Sequence, residues 1–120
     1  MREIARRLYR TLFKRHKRLC QRSKVTPTDD GMIRSCVIFY GDLCKEAKVS
    51  IPPIGIGPYL DEIGAYCEDK GYPLLNALAI SKKFKKPGLG YEGAHGGNRS
   101  SWGRQVRDCI AFKYPDKEPD

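Results

Sequence analysis

Five basic residues near the start of the chain, Arg6, Arg10, Lys14, Lys17 and Arg18, recur at the three- and four-residue spacing that gathers side chains on one side of a helix. Guanidinium and ammonium groups gathered in this way do one kind of chemistry well, which is to hold phosphates through charge-assisted hydrogen bonds. Residues 1–24 carry ten lysines and arginines against one acid, Glu3, and this excess of +9 equals the formal net charge of the whole 120-residue chain. Like charges one turn apart repel unless an anion meets them, so this density predicts an anionic partner. Nucleic acid is the first reading, with electrostatics supplying most of the affinity. An acidic surface on a larger protein and an anionic membrane surface are alternatives, as is the plain solvated face of a core helix. An organellar transit peptide fits less well, because such segments are usually serine-rich and this one has only Ser23.

A second basic region runs from residue 82 to 107, where seven cations stand against one acid. Lys82, Lys83, Lys85, Lys86, Arg99, Arg104 and Arg107 are interleaved there with Phe84, Tyr91 and Trp102, a mixture suited to stacking bases beside a gripped backbone. Aromatic rings are also ordinary core residues, so Trp102 is a candidate contact with a structural alternative. Catalysis would need a positioned nucleophile or base. The distinctive candidate is His95, glycine-flanked in Gly93-Ala94-His95-Gly96-Gly97-Asn98; with Glu92 or Asp108 and a divalent metal it would make a nuclease site. His16, inside the basic segment, reads as a further polar surface group. Cys20, Cys36, Cys44, Cys67 and Cys109 form no CxxC pair and no Cys/His cluster. Neither a metal site nor a disulfide framework is therefore expected, and no cofactor is implied.

The elements that must position these groups follow from hydrophobic periodicity. Ile4, Ala5, Leu8, Leu12 and Leu19 lie at helical spacing and predict a basic amphipathic helix over residues 1–24. Thr26-Pro27-Thr28-Asp29-Asp30-Gly31 is turn chemistry. Cys36-Val37-Ile38-Phe39 predicts a short strand, Asp42 to Val49 a short helix, and the proline-rich stretch from Ile51 to Pro58 a rigid connection. Pro58 suits the first turn of a helix reaching about Lys70, with Leu60, Ile63, Ala65, Tyr66 and Cys67 inward, Asp61, Glu62, Glu68 and Asp69 outward, and Gly71 as its stop. Leu75 to Ser81 predicts a second strand, Lys82 to Tyr91 a basic hairpin or loop, and residues 90–103 a glycine-rich surface loop. A last strand, Cys109-Ile110-Ala111-Phe112, is expected before an acidic tail.

Strand, Phe39-Tyr40-Gly41-Asp42-Leu43 helix, turn, longer helix, strand and basic wing: over roughly Ser35 to Gly93 this order resembles the DNA-binding domain of the O6-alkylguanine alkyltransferase and alkyltransferase-like family. Phe39 to Leu43 looks like the family's opening of the helix-turn-helix, and Gly57 falls about where its second helix carries a glycine. Pro73-Leu74-Leu75-Asn76-Ala77-Leu78 looks like the strand that holds the active-site Pro-Cys-His-Arg. The resemblance implies a winged-helix fold and a place for Tyr40 beside a flipped or stacked nucleotide. The departures decide the chemistry. Ala77, Leu78 and Ala79 stand where the family has its methyl-accepting Cys, His and Arg, so the thiolate nucleophile is missing. The arginine that fills the base stack falls near Ile54, and carboxylates on the second helix would repel phosphates in a major groove.

The fold expected is therefore α+β: a small winged-helix-like domain over 25–120 with a few short strands, preceded by the basic helix of 1–24. Length fits one domain, and no run of about 18 apolar residues predicts a membrane span, so a cytoplasmic address follows as the default. The expected function is non-catalytic nucleic-acid binding through the basic helix and the Lys82 to Arg107 loop. Docking on an acidic protein partner, as a small inhibitor would, and the His95 nuclease are the alternatives.

Overall fold

The computed structural model describes residues 1–19, 37–81, 106 and 108–115. Helix α1 spans Glu3–Leu19, opening on an acid and closing on Lys17 and Arg18, the order its dipole favours. Its buried stripe is Ala5, Leu8, Tyr9, Leu12 and His16, none more than 2% exposed, at intervals that repeat every helical turn. That stripe packs against two later helices and a 3-10 turn, making α1 a wall of the core. The amphipathic pattern is thus realised, and an aromatic and a histidine complete it beside the aliphatic residues.

Strand β1 (Ile38–Phe39) runs directly into α2 (Tyr40–Ala47), whose Leu43, Cys44 and Ala47 face inward. A 3-10 turn at Pro53–Gly55 leads to α3 (Gly57–Lys70), which buries Leu60, Ile63, Gly64 and Cys67. Ala65, expected inward, is exposed. Gly71 ends α3 in the left-handed conformation at φ 75°, where its N–H bonds to the Glu68 carbonyl at 3.1 Å. Leu75–Leu78 then forms a second 3-10 turn before β2 (Ala79–Ile80), so the strand expected from Leu75 to Ser81 is realised only in its last part. β1 and β2 pair in parallel, with Ile38 opposite Ala79 and Phe39 opposite Ile80.

The strand expected at Cys109-Ile110-Ala111-Phe112 is corrected: Val106 and residues 108–111 are helical, forming α4. Val106, Cys109 and Ile110 are buried at i, i+3 and i+4, and a four-residue apolar run does not by itself separate strand from helix. Behind α4, Tyr114 donates its hydroxyl to the Pro73 carbonyl at 2.7 Å, and the Cys109 thiol donates to the Leu74 carbonyl at 3.0 Å. Mixed helix with a small parallel sheet is the architecture, organised on one hydrophobic cluster that draws on α1, α2, α3, both 3-10 turns' flanks and α4. Among the described residues no helix is long and apolar enough to cross a membrane.

Candidate nucleic-acid interface

The face of α1 opposite its buried stripe borders a cleft of about 580 Å³. One wall is Glu3, Arg7, Arg10, Thr11, Lys14, Arg15 and Arg18 of α1; the other is Glu46, Ala47 and Lys48 at the end of α2. Six cations face two carboxylates, an excess of four positive charges converging on one concavity. Low-dielectric walls around such a concavity focus its field on an entering anion.

Two of the arginines hold the walls together. Arg15, its side chain only 20% exposed, donates from Nη2 to the Val37 carbonyl at 3.0 Å and places Nη1 3.9 Å from Glu46 Oε2. Arg7 donates to Glu3 Oε1 at 3.2 Å and to the Lys48 carbonyl at 3.3 Å. These contacts bridge α1 to the residue before β1 and to the residue after α2, and so tie the two walls of the cleft together. The Arg7–Glu3 pair is an exposed i, i+4 pair and contributes little to stability. Thr11 returns its hydroxyl to the Arg7 carbonyl at 2.9 Å.

Lys48 caps α2 in the left-handed conformation, φ 56° and ψ 44°, the one non-glycine among the described residues with positive φ. Its N–H meets the Lys45 carbonyl at 3.2 Å, and the Val49 N–H meets the Cys44 carbonyl at 3.1 Å. The end of α3 has the same bond pattern built on Gly71.

Of the residues singled out in the sequence, Arg10, Lys14 and Arg18 line the cleft. Lys17 is exposed on the neighbouring flank, and Arg6 is half-buried there with its Nε shielded from solvent. Tyr40 is half-buried and packs against the core cluster at the start of α2. Lys82, Lys83, Lys85, Lys86, Arg99, Trp102, Arg104 and Arg107 lie outside the described residues, as do His95 and Glu92. Sequence reasoning passed over Arg7, Arg15 and Lys48. Arg7 and Arg15 share the helical register of Arg18 and were readable from it; Lys48 comes from another element and gave no signal.

His16 is corrected: it is a core group, 1% exposed, with Nε2 2.5 Å from the Cys109 carbonyl and its ring edge-on to Tyr114 at 4.9 Å. Burial holds it below the usual histidine range despite the stabilising backbone hydrogen bonds. Burial pushes the Cys67 thiol up to about 11 and the Cys109 thiol up to about 12, and both Tyr9 and Tyr114 upward as well. Each of these shifts favours the neutral form of its group; no group of three metal-ligating side chains exists among the described residues.

The acidic side of α3 is less uniform than its sequence suggests. Glu68 and Asp69 are exposed, but Asp61 and Glu62 are half-buried. Glu62 binds both the backbone N–H and the guanidinium of Arg2, which also lies 4.3 Å from the centroid of the Tyr59 ring. Burial would raise the Glu62 carboxyl, and these Arg2 contacts outweigh it, leaving the group below its ordinary value. Ala77, Leu78 and Ala79 are fully buried, while Ile54 is 95% exposed on the turn between α2 and α3. Comparison with known proteins returned no matching family model, curated protein or solved structure.

Proposed function

We propose that this chain is a non-catalytic nucleic-acid-binding protein that grips phosphates in the cleft between α1 and the end of α2. The observation behind this reading is the convergence of six cations on one concavity whose walls are tied together by Arg7 and Arg15. Phosphate contacts of this kind position a protein on nucleic acid without reading sequence. The order β1, α2, 3-10 turn, α3 and β2 supports reading the core as winged-helix-like, akin to the alkyltransferase DNA-binding domain. In that arrangement the second helix enters a groove, but exposed Glu68 and Asp69 on α3 would meet phosphates with like charge. The basic face of α1 is the better surface.

The test is fluorescence anisotropy with single-stranded and duplex oligonucleotides at low salt, comparing the wild type with a variant carrying Arg10→Glu and Lys14→Glu. Both positions are exposed, so the variant should fold normally and lose binding on every ligand the wild type binds. Absence of wild-type binding at low salt, or equal binding by the variant, refutes the reading.

A further inference from the structure

The cleft has a second wall, and Lys48 is its cation. We infer that Lys48 is a phosphate-binding residue and that the cleft encloses one strand's sugar–phosphate backbone between α1 and the end of α2, with the bases directed away; this rests on the nucleic-acid reading above.

Three observations converge. Lys48 is exposed and lines the same cleft as Arg10, Lys14 and Arg18. Its backbone occupies the left-handed region, where a residue with a Cβ is strained and glycine is not. The chain places glycine at the equivalent cap of α3, so a lysine at the cap of α2 sets a charge at the cleft mouth at the expense of local backbone comfort. Its carbonyl accepts from Arg7, which holds the strained residue against α1. The described lining supplies cations, two carboxylates already facing arginines, a back-bonded threonine and an alanine methyl, and it includes no ring on which a base would stack. What this lining recognises is a linear chain of phosphodiesters.

Lys48→Gly separates binding from folding. Glycine keeps both capping hydrogen bonds and the carbonyl that meets Arg7, and it relieves the strain, so the thermal midpoint should rise. Removing one phosphate contact should make the log–log salt slope on a single-stranded oligothymidylate shallower by about 0.7, equivalent to roughly fivefold weaker binding at about 0.1 M salt. The same fold-loss is expected on the matching strand of abasic sites, because the contact is to backbone. Inorganic polyphosphate should compete for the wild type more strongly than for the variant. If the wild type binds oligothymidylate and Lys48→Gly binds it equally, the inference fails while the wider reading stands. A loss confined to the base-bearing strand also overturns it. Failure of the wild type to bind any strand refutes the wider reading instead.

Discussion

If α1 were an appended basic arm, its apolar residues would contribute little to folding, and Leu8 is the position that decides the matter. Leu8 has no exposed surface and sits in the single cluster with Leu12, Leu43, Ile63, Leu75 and Leu78, drawn from three helices and the second 3-10 turn. Leu8→Ala removes buried methyl groups at a site enclosed by close-packed neighbours, which costs about 2–5 kcal/mol depending on how far the walls relax. A chain of this length has a net stability of about 6–18 kcal/mol, so the variant forfeits a large fraction of it. A loss of about 3 kcal/mol lowers Tm by roughly 12 °C in a domain of this size. Urea unfolding followed by far-ultraviolet circular dichroism should show the midpoint falling at constant slope, the signature of lost stability in an intact fold. Lys17→Ala, on the exposed face of the same helix, should stay within about 0.5 kcal/mol of the wild type. The reasoning is refuted if Leu8→Ala is as mild as Lys17→Ala.

Three further outcomes are expected. Because burial depresses the His16 pKa, the unfolded chain takes up the proton first; stability is fully present above the unfolded value near 6.5 and declines as pH falls below it. Urea midpoints at about pH 7.5 and about pH 5.5 should differ in that direction and converge in His16→Asn; a wild-type midpoint unchanged between them contradicts the buried histidine. The Cys67 and Cys109 thiols, buried and raised to about 11 and about 12, should be alkylated only as fast as the protein opens; peptide-resolved labelling at the rate of a free thiol in the folded protein would contradict their burial. Arg15→Ala strips the Val37 carbonyl of its donor and frees the two walls, with an expected cost of about 1–2 kcal/mol. Arg15→Lys should recover little of it, since one ammonium does not reproduce the guanidinium's fork; full rescue by lysine would mean that charge alone matters there.

The helices were legible because their burial repeats at helical intervals: Leu8 and Leu12 in α1, Leu60, Ile63 and Cys67 in α3. Stops were legible where chemistry allows one answer, as at Gly71, whose positive φ suits glycine. Short runs were not: Leu75 to Leu78 coils into a 3-10 turn, and Cys109 to Ala111 is helical, because three or four residues are too few to separate the two periods. His16 was misplaced for a related reason. Its polar side chain looked like surface among cations, but register puts it one turn beyond Leu12 on the buried stripe, where Cys109 of a distant segment supplies a carbonyl. Half of the candidate site was visible in α1 alone, in Arg10, Lys14 and Arg18. Arg7 and Arg15 share that helix and its register, whereas the second wall depends on which element packs beside α1, and that is tertiary information: nothing local to Lys48 says that the end of α2 faces those cations.

The most direct test of phosphate binding in the cleft is the salt dependence of affinity for a single strand, measured for the wild type and for the triple variant with Arg10→Ala, Lys14→Ala and Arg18→Ala. Three lost phosphate contacts at about 0.7 each predict a log–log slope shallower by about 2 in the variant, whatever other parts of the chain contribute. Parallel lines with the same slope would show that these cations do not meet phosphates and would contradict the account.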